Sequence, residues 1–277
     1  MRLRVTTWNV NSIRLRLDQL ALVVERVRPD VLCLQETKVE DARFPFDAVR
    51  GMGFQHVFVH GQKTWHGVAT LSRLPLSGCE AIRWCNVEDC RHAVCRLPGE
   101  LELHNLYIPA GGDVPDPEVN PRFRHKLEML EALAAWFEAR RRQAERVILV
   151  GDLNVAPLPT DVWNHRALLD VVSHTPVEVE ALERLQRSLP FVDAVRTKIP
   201  PEEKVFTWWS YRARDWRRSN RGRRLDHIWL SPDLAPYLVF VRIDDWVRDL
   251  ERPSDHVPVT AELDLPDSWF GDAAVRS

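Results

Sequence analysis

Four apolar residues in a row, Val147 to Val150, followed by Gly151, Asp152, Leu153 and Asn154, form the most legible stretch of the chain. Three of the four are β-branched, which predicts a strand buried on both faces and ending at the glycine. The same pattern, an apolar run closing on a polar cluster, recurs upstream. Leu3 to Val10 predicts a strand that runs out at Asn9 and Asn11. Leu17, Leu20, Val24 and Val27 recur at helical spacing and predict a helix stopped by Pro29. Val31 to Leu34 then predicts a second strand, ending in Gln35-Glu36-Thr37. A strand-helix-strand unit requires a parallel pair, so Asn9 and Glu36 are expected at one sheet edge.

Further strands are predicted over Gln55 to Val59, Gly67 to Leu71, His92 to Leu97 and Leu101 to Ile108, with Gly and Pro between them. Leu127, Leu130, Leu133 and Phe137 mark an amphipathic helix running out in Arg140-Arg141-Arg142, basic residues that suit a helix C-terminus. Thr175-Pro176-Val177-Glu178 reads as a capping box opening a helix through Leu182, Leu185 and Leu189. Leu225 to Leu230, Val239 to Ile243 and Val259 to Leu263 complete the strands.

Composition narrows the class without naming it. At 277 residues, 45% hydrophobic and 28% charged, with net charge −2, the chain reads as an ordinary globular protein able to bury a large core. No apolar run reaches bilayer length and Leu3 to Trp8 has a strand pattern rather than that of a secretion signal, so a cytoplasmic protein with no membrane partner is expected. Five cysteines without a Cys-x-x-Cys argue for reduced thiols. The even spacing of Cys85, Cys90 and Cys95 invites a zinc reading, but structural zinc favours closely paired ligands, and burial as small hydrophobes is expected instead.

Several polar residues stand where strands end. Asp152 and Asn154, two apart on an extended segment, point the same way; one can take a proton and the other hold a substrate oxygen. Such residues also commonly satisfy turn backbone, and Glu36 and Tyr107 taken singly read as a surface acid and an amphipathic packing residue. Asp255-His256 precedes the last strand, and a histidine beside one carboxylate that meets another across strands is fixed in tautomer and raised in pKa. Phe206 to Tyr211 leads into Arg212 to Arg224, which holds seven arginines against one acid, Asp215. Aromatics next to concentrated arginine make a nucleic-acid footprint.

Trp8-Asn9-Val10-Asn11, Leu34 to Lys38, Gly61 to Lys63, Gly67 to Ala69, Gly151 to Asn154, Trp208 to Arg212, Asn220 to Gly222, Leu225-Asp226 and Ser254-Asp255-His256 occur in the order and spacing of the exonuclease III family. From Leu3 to about Leu265 the chain resembles these abasic-site endonucleases of the endonuclease/exonuclease/phosphatase superfamily. The resemblance implies a four-layer α/β sandwich, two mixed sheets face to face with helices outside, as one domain over 1–277 with pseudo-symmetric halves 1–145 and 146–265 and a tail 266–277. It implies one or two divalent cations, normally Mg2+ with Mn2+ as a substitute, held by Glu36 with Asn9 beside it, and Asp152, Asn154, Asp255 and His256 around the metal. Asp152 then activates water, Asn154 and Tyr107 orient the phosphate, and His256, held by Asp226, donates to a phosphate oxygen. The implied substrate is double-stranded DNA, incised 5′ to abasic sites and trimmed at 3′ ends, by a monomer. Trp208 and Leu225 fall where the family builds its abasic pocket, Arg223 stands where an apolar residue is expected, and Arg212, Asn220, Arg221 and Lys126 are candidate DNA contacts. A phosphatase or phosphodiesterase on a small or lipid phosphoester would keep the metal site without needing the arginine segment; an inactive DNA-binding protein would not need the polar strand ends.

Overall fold

The computed structural model of the protein describes residues 1–141, 146–213 and 215–270. The first sheet contains β1 (Arg2–Asn9), β2 (Val31–Gln35), β3 (His56–His60), β4 (Val68–Ser72), β13 (Leu238–Ile243) and β14 (Val259–Asp264), in the order β13-β14-β1-β2-β4-β3. The second contains β5 (Ser77–Ala81), β6 (His92–Leu97), β7 (Leu101–Tyr107), β8 (Val147–Asp152), β9 (Val192–Asp193) and β12 (Asp226–Leu230), in the order β5-β6-β7-β8-β12-β9. A short ribbon pairs β10 (Trp208–Trp209) with β11 (Gly222–Arg223). Both six-stranded sheets are mixed: β1 runs parallel to β2, as the strand-helix-strand pattern requires, and β7 runs parallel to β8. Each sheet draws strands from both halves of the chain.

Alternation along the strands explains the layering. Leu3 and Val5 on β1, Ile148 and Val150 on β8 and Ile228 and Leu230 on β12 fill the core between the sheets. Residues of the opposite parity face outward. Trp8, Leu32 and Leu34 pack against Leu20, Val23 and Val27 of α1 (Leu17–Val27) and Val49 of α2 (Phe46–Gly51). Leu149 and Trp229 pack against Met129, Leu133 and Phe137 of α3 (Pro121–Arg140) and Leu182 and Leu185 of α5 (Pro176–Ser188). The four-layer sandwich therefore has α1 and α2 on one outside and α3 and α5 on the other. Between α3 and α5 lies the single turn α4 (His165–Leu168).

Apart from α3, which already begins at Pro121, ahead of the predicted stripe from Leu127, the predicted elements appear within a residue or two of their expected ends. Helix α1 stops at Val27, with Arg28 in the left-handed conformation just before Pro29. Thr175 and Glu178 form the expected capping box on α5. Strands β5 and β9 and the β10-β11 ribbon were not predicted, since β5 is exposed on most of its residues and the others are two residues long. Arg140 does more than complement a helix end: it binds Glu102 on β7 at 3.1 Å and lies over the Trp136 ring. Arg142 of that predicted run, Arg214 and residues 271–277 lie outside the described residues.

Candidate active site

The period-two alternation that builds the inter-sheet core continues to one end of the sandwich, where it turns polar. After Leu3, Val5 and Thr7 comes Asn9; after Val31 and Cys33 comes Gln35; after Leu101 and Leu103 come Asn105 and Tyr107; after Ile148 and Val150 comes Asp152. Asp226 opens β12 directly opposite Asp152, and His256 precedes β14 beside the end of β1. Beneath this cluster the sheets are tied together by Gln35 Nε2, which donates to Thr7 Oγ1 at 2.9 Å and to Asn105 Oδ1 at 2.8 Å. A rigid floor is thus laid under the polar groups before any of them meets solvent.

Gly151 makes the close approach of β8 to β7 possible. Its φ is +146°, and a Cβ there would fall 1.8 Å from the Leu106 carbonyl oxygen. Asp152 follows with its two oxygens divided. Oδ1 accepts from the Asn154 backbone at 3.0 Å, the turn contact expected of such a residue. Oδ2 faces inward, accepting from Asn9 Nδ2 at 2.9 Å and Asn154 Nδ2 at 3.1 Å, with His256 Nε2 at 3.5 Å. One oxygen of this aspartate thus serves the turn, while the other faces the polar cluster.

On its other side, the His256 ring is held through Nδ1 to Asp226 Oδ2 at 2.8 Å. Asp226 Oδ2 also accepts from Thr207 Oγ1 at 2.6 Å. Asn9 Nδ2 reaches Glu36 Oε1 at 2.9 Å as well as Asp152, so one amide joins the carboxylates of the two sheets. Tyr107 OH donates to the same Glu36 oxygen at 2.9 Å, and Lys38 Nζ lies 2.8 Å from Oε2. Asp255 accepts from Asn11 at 3.0 Å and from the Trp208 indole at 2.9 Å. Glu36, Asp152, Asn154, Asp255 and His256 all line one cleft of about 900 Å3.

Electrostatics separate the roles. Burial raises the Asp152 carboxyl to about 7, against the neighbouring His256 charge. Burial alone would push His256 down, but Asp226 and Asp152 outweigh it and hold the imidazole up at about 10. A protonated histidine thus faces a carboxyl poised to take up or release a proton. Glu36 is shifted the other way: burial would raise it, but Lys38 and the Asn9 hydrogen bond hold it below the usual range as an anion. Tyr107 is pushed well above its ordinary value by burial, reinforced by Glu36 and Asp152, and stays a neutral donor.

Asp152, Asp226 and His256 also lie close enough to share an ion. Their geometry argues otherwise, because Asp226 is wholly buried and bound to Thr207 and His256. Glu36, whose charge already attracts the Lys38 ammonium, and the Asp152 and Asp255 carboxylates lining the same cleft offer hard oxygen donors that suit a small divalent cation, while Asn9 meets Glu36 and Asp152 through its amide nitrogen.

The structure corrects part of the predicted DNA set. Lys126 is completely buried on α3, where it forms an ion pair with Glu178 and donates to the Asn154 carbonyl at 2.7 Å, so it cannot reach a phosphate. Arg224 is likewise buried between Asp161 and Asp193, and Arg217 is paired with Asp249. Arg212 and Arg221 are exposed and line the cleft, Arg221 over the Trp163 ring at 4.8 Å. Asn220 is exposed, with its carbonyl bound to the Trp209 indole at 3.1 Å. Trp208 and Leu225 belong to one apolar cluster with Val162, Leu168 and Trp163 at the cleft wall. Arg223 lies over the Trp208 ring at 5.3 Å and donates to Val172 O at 2.8 Å and Ser173 Oγ at 2.6 Å. Thr207, Lys38, Asn11 and Ser254, which donates to Asn9 O at 2.7 Å, support the site; Asn11, Lys38 and Ser254 lie inside motifs read from the sequence without a role being given to them, and Thr207 was not singled out.

In class, a two-sheet sandwich whose open end carries a buried His-Asp pair and a cleft-facing anionic carboxylate is a hydrolase of phosphoesters. The chain belongs to the Endonuclease/Exonuclease/phosphatase family, whose model matches residues 6–256. It is 31% identical over 270 residues to the exodeoxyribonuclease III of Haemophilus influenzae, covering 94% of this chain and all of that one. The 3′ phosphatase NExo from Neisseria, solved bound to a product DNA hairpin, superposes with a TM-score of 0.87 at 32% identity, covering 95% of this chain and 100% of that one. An AP endonuclease from Archaeoglobus fulgidus gives a TM-score of 0.87 at 31% identity with the same coverage. Among the described residues no helix is long and apolar enough to cross a membrane.

Proposed function

We propose that this protein is a metal-dependent DNA-repair nuclease that hydrolyses phosphodiester bonds, incising 5′ to abasic sites and trimming 3′ ends, in the cytoplasm and as a monomer. The observation that carries this reading is the proton pair at the cleft floor, with His256 held by Asp226 at 2.8 Å and facing Asp152 at 3.5 Å. Asp152, as the anion, takes the proton of the attacking water; protonated His256 donates to a phosphate oxygen as charge develops on it. Asn154 and Tyr107 orient the phosphate. Glu36 and Asn9, with Asp255 nearby, would hold Mg2+, which supplies Lewis-acid stabilisation of the phosphoryl oxygens when bound. Since each sheet takes strands from both halves, we read the whole chain as one catalytic domain.

Duplex DNA fits the surroundings of this site. Arg212 and Arg221 flank the cleft, and the Trp208-Leu225 wall offers an apolar seat for an extruded sugar. Arg223 gives that seat a cationic edge. The test is a labelled duplex with one abasic-site analogue, incubated in Mg2+ and in excess chelator beside an undamaged duplex. Mg2+-dependent incision leaving a 3′-hydroxyl is expected. Release of phosphate from a small phosphoester with both duplexes intact would assign the protein to the phosphatases of the family instead.

A further inference from the structure

The fold separates the three evenly spaced cysteines. Cys90 and Cys95 are buried as expected, whereas Cys85, in the connection between β5 and β6, is half-buried at the edge of the outer core. There it meets α3. The Cys85 sulfur, one imidazole nitrogen of His125 and one carboxylate oxygen of Glu128 all lie within 4.8 Å of one another. His125 and Glu128 are three residues apart on the helix and so share a face.

The geometry points to a second metal site here, remote from the nuclease cleft in its chemistry, in which Cys85, His125 and Glu128 bind one zinc ion and clamp the Cys85 turn to α3. The donor set carries the choice of metal. Thiolate, imidazole and carboxylate together suit Zn2+ and are a poor match for Mg2+, which wants oxygen only. Three protein ligands leave a fourth position for water. On binding, the thiol proton leaves to solvent as the sulfur-zinc bond forms, and no electron is transferred.

Two independent observations support it. His125 Nε2 lies 3.2 Å from Asp89 Oδ2, and Asp89 is fixed in turn by Arg91. Outer carboxylates of this kind fix the orientation and tautomer of metal-binding imidazoles. Further, Cys85 and Asn86 have φ of 54° and 55° and are the central residues of a tight turn closed from Val87 N to Trp84 O at 3.0 Å. Such a turn favours Asn-Gly, and a cysteine at its first central position costs about 1 kcal/mol of backbone strain. The turn does not move to relieve it, because buried Trp84 is stacked on His92 and hydrogen-bonded to it at 3.1 Å. The chain thus holds a sulfur at a strained position opposite two more ligands.

The site can be tested apart from any nuclease activity. Metal-free protein in excess Mg2+ is titrated with Co2+ and followed by thiolate-to-cobalt charge-transfer absorption. The expected result is a band that saturates at one equivalent, is abolished by Zn2+, and is absent from Cys85→Ser and from Cys85→Gly, the latter suited to the turn and so a guard against misfolding. His125→Ala and Glu128→Gln should weaken the titration at least about tenfold. Zinc should also protect one thiol of the wild type from alkylation, located to Cys85 by mass spectrometry. No charge-transfer band, or a band retained by both Cys85 variants, would overturn the proposal whatever the protein does to DNA.

Discussion

His256 sits between two carboxylates, and losing either has a different signature. Asp226→Asn keeps a hydrogen-bond partner but removes the charge that holds the imidazole up at about 10. Donation needs the protonated ring, so activity is present below that pKa and lost as pH rises through it; in Asp226→Asn this basic limb moves to lower pH. A kcat fall of about a hundredfold is expected at pH 8. A rate profile over pH whose basic limb stays in place would refute the assignment. With Asp152 as the proposed proton acceptor, Asp152→Asn should lower kcat by about a thousandfold with KM little changed. The resemblance implied that Asp226 holds His256, but the arrangement around Asp152 could not be assigned from sequence. The residues were legible as polar strand ends, but which oxygen serves the turn and which serves the site depends on the register of β8 against β12, and Thr207 belongs to a segment with no periodic signal.

At the scale of elements, the ion pair of Lys126 with Glu178 joins α3 to the N-terminus of α5. Lys126→Met strands a buried carboxylate and should cost about 3–5 kcal/mol in urea unfolding, most of it recovered when Glu178→Gln is added. DNA affinity of the correctly folded double variant should be unchanged, since neither residue reaches the surface. The position could have been read more closely from sequence: Phe123, Lys126, Leu130, Leu133 and Phe137 fall on one helical stripe, and a lysine there is inside. Glu102 joins β7 to the other end of α3. The His104 hydrogen bond, with Arg140 and Arg96 beyond it, lowers its carboxyl from 4.5 to about 2. A depressed carboxyl stabilises the fold above its unfolded pKa and loses that contribution as pH falls toward 2. Glu102→Gln should therefore be less stable by roughly 1 kcal/mol at pH 7, after discounting for solvent screening, and indistinguishable from wild type near pH 2, as thermal unfolding across pH would reveal. Long apolar strands and capped helices were legible because local pattern decides them; β5, β9 and the β10-β11 ribbon were not, because only tertiary pairing makes them strands.

Across the whole molecule, a net charge of −2 conceals a division of labour within one arginine segment. Arg224 and Arg217 are neutralised by aspartates, while Arg212 and Arg221 are left at the cleft. Removing Arg212 or Arg221 should each reduce the slope of log affinity against log salt by about 1, and removing Arg217 should leave it unchanged. Binding isotherms at several salt concentrations separate the two groups; equal slopes for all three variants would make the segment a solvated face. The density of arginine was visible in sequence, but its partition was not, because Asp161, Asp193 and Asp249 lie far away along the chain.

The strand β1 pairs with β14, and its Trp8 Nε1 donates to the backbone carbonyl of His256 at 3.1 Å. In the sheet β1 lies between β14 and β2, so the strand that carries Asn9 is held by segments far apart along the chain. A chain cut before Asp255 therefore carries Glu36, Asp152 and Asp226 without His256, the group we propose as the acid.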